Sequence, residues 1–292
     1  CFIESSMNKT DNYLDKHRMS YVLTPLTITE LKIFFDDKSL AVIKYFLKKS
    51  IISQPEKLPS QVEDLPIQIP KEHIEQWIVQ ALGAKPLGAG SYPVDVITTD
   101  WGADVKMLSC KLDKDGNLKN ADSGETSLAQ KFGDGNFGDG NTLDDLFAKK
   151  EFEFIWSKWK EILVAKYKKV EDDHNITDIY YFIVLRAGNV FHLCGLKVDL
   201  SKLVDTTINH SRSTNDSIWI KEFIDDNYGH IKIYKAKKRL ELRLKPKKWV
   251  DDNMVISFDT DFEQISTNIR EKIINNELDD YINDILIPII KQ

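Results

Sequence analysis

Two segments near the middle of the chain place charged side chains inside otherwise apolar, β-like stretches. They cover 92–98 and 103–111 and are separated by a turn that contains Gly102. Because side chains alternate along a strand, Asp104 and Lys106 are predicted to project to one face and their apolar neighbours to the other. An unpaired buried charge is costly, so these two residues should be paired with each other, with a further acid or with a cation.

A third charged residue, Asp95, lies on the first of the two segments between Val94 and Val96. If the two segments pair as a hairpin, Asp95 comes to lie beside Asp104. Carboxylate oxygens are the ligands that Mg²⁺ prefers, and bound magnesium lowers the pKa of a water ligand and neutralises charge on a reacting phosphate. A nearby ammonium group, here Lys106, can orient or deprotonate the attacking water. The pattern therefore predicts a magnesium site that hydrolyses phosphodiesters, with Asp95 and Asp104 as metal ligands.

Other interpretations of this segment stay open. A surface hairpin whose Asp104 and Lys106 form an ordinary ion pair would give the same pattern. Lys111 is a rival lysine on the same segment, but it follows Ser-Cys rather than an acid and is better suited to contact phosphate or solvent. Asp100 is a rival acid, but it lies in the turn and is predicted to be a loop residue.

The motif Pro93-Val94-Asp95, followed by Asp104-Val105-Lys106, resembles the PD-(D/E)xK nuclease superfamily, particularly type II restriction endonucleases. One residue is inserted in the Pro-Asp pair. The resemblance covers about 71–200, where the expected order of elements is helix, three strands, helix, strand. It implies an α/β (α+β) fold with a restriction-endonuclease-like core, in which helices flank a central mixed β-sheet. It also implies that the two matched acids bind Mg²⁺ and that the lysine serves the nucleophilic water.

The resemblance suggests further members of the site. Some members of the superfamily add a glutamate from the helix that precedes the strands, here a predicted helix at 71–83, and Glu75 or Glu72 matches that place. Downstream, Gln130 and Lys131 are candidates for polar groups near the site.

A concentrated basic stretch lies between Lys232 and Lys248, where nine Lys or Arg residues face a single acid. The net charge there is +8, so the rest of this chain of net charge −6 carries −14. Leucines alternate with charged residues, which predicts a strand with an apolar face and a basic face suited to a phosphate backbone. A solvated edge strand protected by lysines is the alternative. The predicted DNA-binding residues are Lys238, Arg239, Arg243, Lys245, Lys247 and Lys248.

The rest of the chain is divided by its patterns into three parts. Residues 1–60 are predicted to be an N-terminal helical segment, 61–200 the nuclease core, and 201–292 a C-terminal extension with strands and a helix that contacts DNA. Within the core, a polar loop at 123–141 contains two Gly-Asp-Gly-Asn repeats, which lack the ligand spacing of a calcium loop. A long helix is predicted from 142 to 168.

The composition favours a cytoplasmic enzyme. In 292 residues the hydrophobic fraction is 42% and the charged fraction 29%, with three widely separated cysteines, a pattern typical of a protein from a reducing compartment. No apolar run approaches the roughly 18–20 residues needed to cross a bilayer. We therefore expect a Mg²⁺-dependent, site-specific endonuclease acting on double-stranded DNA, and a homodimer if its site is palindromic. A less specific defence or repair nuclease and a non-catalytic DNA-binding protein are the alternatives.

Overall fold

The computed structural model describes residues 21–87, 92–119, 123–130, 141–260, 264, 268–281 and 283. The N-terminal stretch 1–20, the predicted turn at 88–90, Lys131 and most of the predicted loop at 123–141, with its repeats, lie outside the described residues.

The described residues form helices and strands in a mixed order. The strands are β1 (Leu23–Pro25), β2 (Lys85–Pro86), β3 (Val96–Ile97), β4 (Trp101–Ser109), β5 (Glu125–Gln130), β6 (Asp178–Ala187), β7 (Val190–Val198), β8 (Thr207–Ile208), β9 (Ser217–Lys221), β10 (Gly229–Tyr234), β11 (Arg239–Leu244) and β12 (Ile256–Asp259). The helices are α1 (Ile28–Phe34), α2 (Asp37–Lys49), α3 (Lys71–Leu82), α4 (Leu143–Ala148), α5 (Phe152–His174), α6 (Pro246–Asp251), α7 (Ile269–Ile274) and α8 (Leu278–Tyr281), with 3-10 turns at Ser50–Ser53 and Leu200–Asp205.

The first sheet has the strand order β1-β7-β6-β4-β3-β2, and β12 also pairs with β7. Strands β4 and β6 run parallel, whereas β3 with β4 and β6 with β7 are antiparallel. Parallel neighbours need a crossover connection, and here the chain between β4 and β6 contains β5, α4 and α5. The sheet is thus mixed and flanked by helices, as predicted at that level.

The second sheet is antiparallel, with the order β5-β11-β10-β9-β8. The alternation predicted for the basic stretch is confirmed on its apolar side, since Leu240, Leu242 and Leu244 are fully buried. Strand β5 lies in the stretch that was predicted to be a loop, so that prediction is wrong for Glu125–Gln130. Pairing with the distant strand β11 organises this polar segment.

Two hydrophobic cores lie on the two sides of the first sheet. One contains Ile74 and Ile78 of α3 together with Val105 and Met107 of β4. The other contains α5, whose Trp159 packs in a core shared by residues of both sheets. Helix α5 therefore packs between the two sheets, next to β4 and β6.

Local signals fix several ends of these elements. Thr27 and Glu30 form the predicted capping box at the start of α1. Helix α3 ends at Gly83, whose φ of +61° is the left-handed conformation that favours glycine at this position. The predicted hairpin of β6 and β7 is confirmed, with Gly188 in its turn.

Two predicted helices differ from the structure. The helix predicted from Thr142 ends at Ala148, and α5 begins only at Phe152, because Lys150 has a positive φ that interrupts the helix. The segment predicted to be helical at 20–50 also contains strand β1 before α1.

The boundaries 1–60, 61–200 and 201–292 stay a prediction, although strands from all three parts meet in the first sheet. Strand β7 pairs with β1 on one side of that division and with β12 on the other. Within the described ranges, no helix is both long enough and apolar enough to span a membrane.

Candidate active site

Asp104 and Lys106 lie on one face of β4, as the alternation predicts. The ammonium of Lys106 contacts Oδ1 of Asp104 and donates to the carbonyl of Val105 at 3.2 Å. Asp104 is only 5% exposed, whereas Lys106 is partly open to solvent. The pair is therefore a half-buried ion pair on a central strand and not a pair on a surface hairpin.

Asp95 joins this pair because β3 and β4 form the expected hairpin. The strand is shorter than predicted, and Asp95 lies immediately before it, where its backbone N–H donates to the carbonyl of Ala103 at 2.9 Å. Its Oδ2 accepts a hydrogen bond from the backbone N–H of Val105 at 2.7 Å and lies 3.8 Å from Nζ of Lys106. The ammonium of Lys106 thus lies between the carboxylates of Asp95 and Asp104.

The electrostatics of the three groups reflect crowding of negative charge. The pKa of Asp95 is raised to about 7, chiefly by burial and next by the charge of Asp104, while Lys106 opposes the shift. Burial lowers the pKa of Lys106, but the carboxylates of Asp104 and Asp95 outweigh burial, so that its pKa is raised and it stays an ammonium. One lysine does not fully offset two adjacent carboxylates, and a divalent cation would.

The structure distinguishes the two glutamates proposed from α3. Glu75 is half-buried, and its pKa is raised chiefly by burial, with Lys106 opposing the shift and Asp104 adding to it. Glu72 is exposed on the helix surface. Glu75 is thus the acid of α3 that interacts with the charges of Asp104 and Lys106.

The sequence analysis missed a second lysine, Lys166 of α5. Its Nζ lies 3.7 Å from Oδ2 of Asp104 and donates to the carbonyl of Leu128 at 2.9 Å and to the hydroxyl of Tyr181 at 3.3 Å. Burial lowers its pKa, and Asp104 opposes that shift. A signal was present, because Lys166 follows Leu163 by three residues on the buried face of α5.

Beneath Lys166, two tyrosines close the buried side of the site. The hydroxyls of Tyr167 and Tyr181 contact each other, and Tyr181 lies beside Asp104 in the parallel register of β4 and β6. Burial raises the pKa of both hydroxyls, which keeps them neutral. They can hydrogen-bond to Lys166 without adding negative charge to the site.

The rival residues lie outside this group. Asp100 is exposed in the turn before β4, and Lys111 is exposed beyond the end of that strand. Gln130 is the last residue of β5, where it pairs with Arg239 in the register of the second sheet.

Metal binding depends on the arrangement of donors. In the part of the chain that the structure describes, no group of three or more His, Cys, Asp or Glu residues could hold a metal ion. Asp95 and Asp104 are nevertheless two hard oxygen donors around one ammonium. This donor set suits Mg²⁺, which usually keeps several waters and needs only one or two protein carboxylates.

The basic stretch differs from its prediction in one respect, because its charged face is not freely displayed. Glu241 is fully buried among the cations and accepts from Nε of Arg239 at 2.8 Å. Glu125 of β5 lies 3.2 Å from Arg239 and 3.3 Å from Arg243. These two acids order the arginines, so the face is a partly neutralised ion-pair cluster.

The remaining predicted DNA-binding residues are more varied. Lys238 is exposed in the turn between β10 and β11. Lys245 donates to the carbonyl of Asp226. On α6, Lys247 and Lys248 form ion pairs with acids four residues later, at 2.7 and 2.8 Å. Their role in DNA binding stays a prediction.

Comparison of the chain with models of protein families, with curated proteins and with solved structures returned no match. What the chain does must therefore be argued from its own residues.

Proposed function

We propose that this protein is a Mg²⁺-dependent endonuclease that hydrolyses phosphodiester bonds of double-stranded DNA, in the manner of a site-specific type II restriction enzyme. The observation that carries the proposal is the placement of the Lys106 ammonium between the carboxylates of Asp95 and Asp104. Two crowded carboxylates and one lysine on adjacent strands form the minimal set for metal-assisted phosphodiester hydrolysis.

The residues have separate tasks in this proposal. Asp95 and Asp104 would hold Mg²⁺, which supplies an acidified water and neutralises charge on the phosphate. Lys106, an ammonium because of its acidic neighbours, would donate hydrogen bonds that orient the attacking water and balance the phosphate charge. Glu75 would add negative charge on the side of the site formed by α3.

The arrangement of elements gives additional support. Helix α3 is followed by β2, β3 and β4, and then, after an insertion that contains β5 and α4, by α5 and β6. This is the order of helix, three strands, helix and strand expected from the PD-(D/E)xK resemblance. The two acids and the lysine occupy β4 and the residue before β3, as the same resemblance implies.

DNA is proposed as the substrate from the charge of the second sheet. Four cations there, Lys232, Lys237, Arg239 and Arg243, surround the two acids Glu125 and Glu241, so an excess of positive charge remains. Strand β5 links this cluster to the site, because the carbonyl of its Leu128 accepts from Lys166. A polyanion held on the second sheet would therefore lie near Asp104. If the target is a palindrome, we propose a symmetric homodimer.

The direct test is digestion of a supercoiled plasmid with Mg²⁺, with Mg²⁺ plus excess EDTA, and with variants. Asp104→Ala and Lys106→Ala should each reduce cutting by about 10²–10³-fold, as expected when one group that stabilises the transition state is removed. Asp100→Ala and Lys111→Ala are matched controls, because both residues are exposed near the same strand, and they should cut as the wild type does.

Three outcomes separate the alternatives. Discrete fragments from one sequence support a restriction enzyme, whereas a smear indicates a less specific nuclease of the same chemistry. Binding of DNA without cutting under Mg²⁺, Mn²⁺ or Co²⁺ would show a non-catalytic DNA-binding protein. Full activity of both Asp104→Ala and Lys106→Ala would exclude this site as the catalytic centre.

A further inference from the structure

The two oxygens of Asp104 are held by two different lysines. Lys106 contacts Oδ1, and Lys166 lies 3.7 Å from Oδ2. Asp104 is nearly buried, so solvent offers little competition for either oxygen. A metal ion that binds Asp104 directly must therefore replace one of these ammonium groups.

Lys166 is the lysine that is fixed in place. Besides its ion pair with Asp104, its Nζ donates to the carbonyl of Leu128 and to the hydroxyl of Tyr181. The same ammonium lies 4.9 Å from the ring centre of Tyr167 and 5.6 Å from that of Tyr181, distances at which an aromatic face attracts a cation. Moving Lys166 would cost all of these interactions in a mostly buried place.

Lys106 is held less firmly and lies where a cation would bridge the two acids. Its remaining partners are the carbonyl of Val105 at 3.2 Å and Oδ2 of Asp95 at 3.8 Å. Its side chain is more exposed than that of Lys166, 26% against 19%. Its ammonium occupies the space between Oδ1 of Asp104 and Oδ2 of Asp95, which is the place of a metal ion bound by both carboxylates.

We propose that Lys166 is a positioning residue, which holds Oδ2 of Asp104 so that Oδ1 faces Asp95 and can bind the metal, and that Lys106 is the lysine that the metal displaces toward the substrate. The proposal rests on the metal site of the proposed function. It divides the work of the two lysines: Lys166 sets the affinity for metal, and Lys106 acts on the reacting groups.

Metal binding measured without DNA tests this division independently of cutting. Isothermal titration calorimetry with Mg²⁺ or Mn²⁺ compares wild type, Lys166→Met, Lys106→Met and Lys168→Met. Loss of a residue that orients a metal ligand typically weakens binding by about 10–100-fold, and this loss is expected for Lys166→Met. Lys106→Met should bind metal at least as well as wild type, because it removes the competing ammonium. Lys168 is exposed on the same helix, so Lys168→Met is the matched control and should bind as wild type does.

Plasmid cutting at increasing Mg²⁺ gives the second measurement. Lys166→Met should regain most of its activity at high Mg²⁺, whereas Lys106→Met should stay inactive at every concentration. Lys166→Arg, which keeps the cation, should bind metal more tightly than Lys166→Gln. That pair decides the question if thermal melting shows that Lys166→Met does not fold.

The possible failures are distinguishable. Wild-type metal affinity in folded Lys166→Met, or equal affinities of the Arg and Gln variants, would overturn the role of Lys166. A clear loss of metal affinity in Lys106→Met would overturn the displacement of that lysine. If wild type binds Mg²⁺ with the expected variant pattern but cuts no DNA, the positioning role stands and the proposed nuclease function fails. Absence of metal binding by wild type would overturn both.

Discussion

Two clusters of partly buried charge lie on the two sheets, and they differ in how acids and cations are arranged. The first, the active-site cluster, contains Asp95, Asp104, Glu75, Lys106 and Lys166. The second, the second-sheet cluster, contains Glu125, Glu241, Lys232, Lys237, Arg239 and Arg243. In the first cluster three acids share two lysines, whereas in the second four cations surround two acids.

The difference shows what each cluster can do. In the active-site cluster the acids lie close enough to disfavour each other's ionised form, and the pKa of Asp95 is raised to about 7 by burial and by Asp104. Such a cluster is stabilised by an added cation. In the second-sheet cluster Glu241 is enclosed by four cations and Glu125 lies against three of them. The acids there are satisfied, and the excess positive charge favours an anion.

The largest expected effect is on the second-sheet cluster. Glu241→Ala should destabilise the protein by about 3 kcal/mol, because removal of one member of a buried ion-pair network leaves uncompensated buried charge. Glu241 is fully buried, and four cations would lose their common partner. Urea denaturation followed by circular dichroism measures the change in the free energy of unfolding.

The matched control is Glu161→Ala, which removes an acid from an exposed ion pair with Lys158 on α5. Pairs of this kind contribute on the order of 0.5 kcal/mol. If Glu241→Ala were no more destabilising than Glu161→Ala, the view of Glu241 as the centre of a satisfied cluster would be wrong.

In the active-site cluster, removing an acid should have the opposite sign. Asp95 has a folded-state pKa of about 7 and an unfolded value of about 4, so the folded protein binds the proton more tightly. Its contribution to stability is fully present below pH 4 and is lost as the pH rises through 7. In EDTA at pH 8, Asp95→Asn should therefore be more stable than wild type while cutting no DNA. Its side chain is 35% exposed, and with solvent screening the increase in stability should be on the order of 1 kcal/mol.

Thermal or urea unfolding from pH 4 to pH 8 measures this effect. The stability advantage of Asp95→Asn over wild type should grow with pH and vanish near pH 4, and asparagine can still accept from the N–H of Val105. Asp100→Asn is the control, since this acid is exposed in the adjacent turn, and it should show no such trend. A constant or negative difference for Asp95→Asn would mean that its carboxylate is not under repulsion.

The sequence could predict features that depend on local spacing. Strand alternation gave the common face of Asp104 and Lys106, and the intervening turn gave the hairpin that brings Asp95 to them. The Thr27–Glu30 capping box likewise needs only residues three apart. These predictions succeeded because short-range geometry determines them.

Features that depend on distant residues were missed. Strand β5 is polar and becomes ordered by pairing with β11, more than a hundred residues later. The same pairing brings Glu125 to Arg239 and Arg243, which changed a predicted open basic face into an ion-pair cluster. Lys166 reaches Asp104 only because α5 packs against the first sheet. Neither strand periodicity nor helix periodicity contains that information.

The smallest expected effect concerns DNA binding by the second-sheet cluster. Glu125 is 23% exposed and lies against Lys237, Arg239 and Arg243. If this face holds the phosphate backbone, Glu125→Gln should strengthen binding a few-fold, because it releases cations that the acid now neutralises. The slope of log affinity against log salt should steepen by about one for each additional phosphate that a released cation neutralises.

Lys238→Ala makes the same test in the other direction. This lysine is exposed beside the cluster, and its loss should weaken binding and make the salt slope shallower by about one. Glu161→Gln changes the net charge as Glu125→Gln does, but on the exposed surface of α5. Fluorescence anisotropy with a duplex oligonucleotide, Ca²⁺ in place of Mg²⁺ and several salt concentrations measures all three. If Glu125→Gln and Glu161→Gln changed affinity equally, net charge alone would explain the binding. In that case the second-sheet cluster would be a structural ion-pair network, and the DNA would have to approach the active-site cluster over another surface.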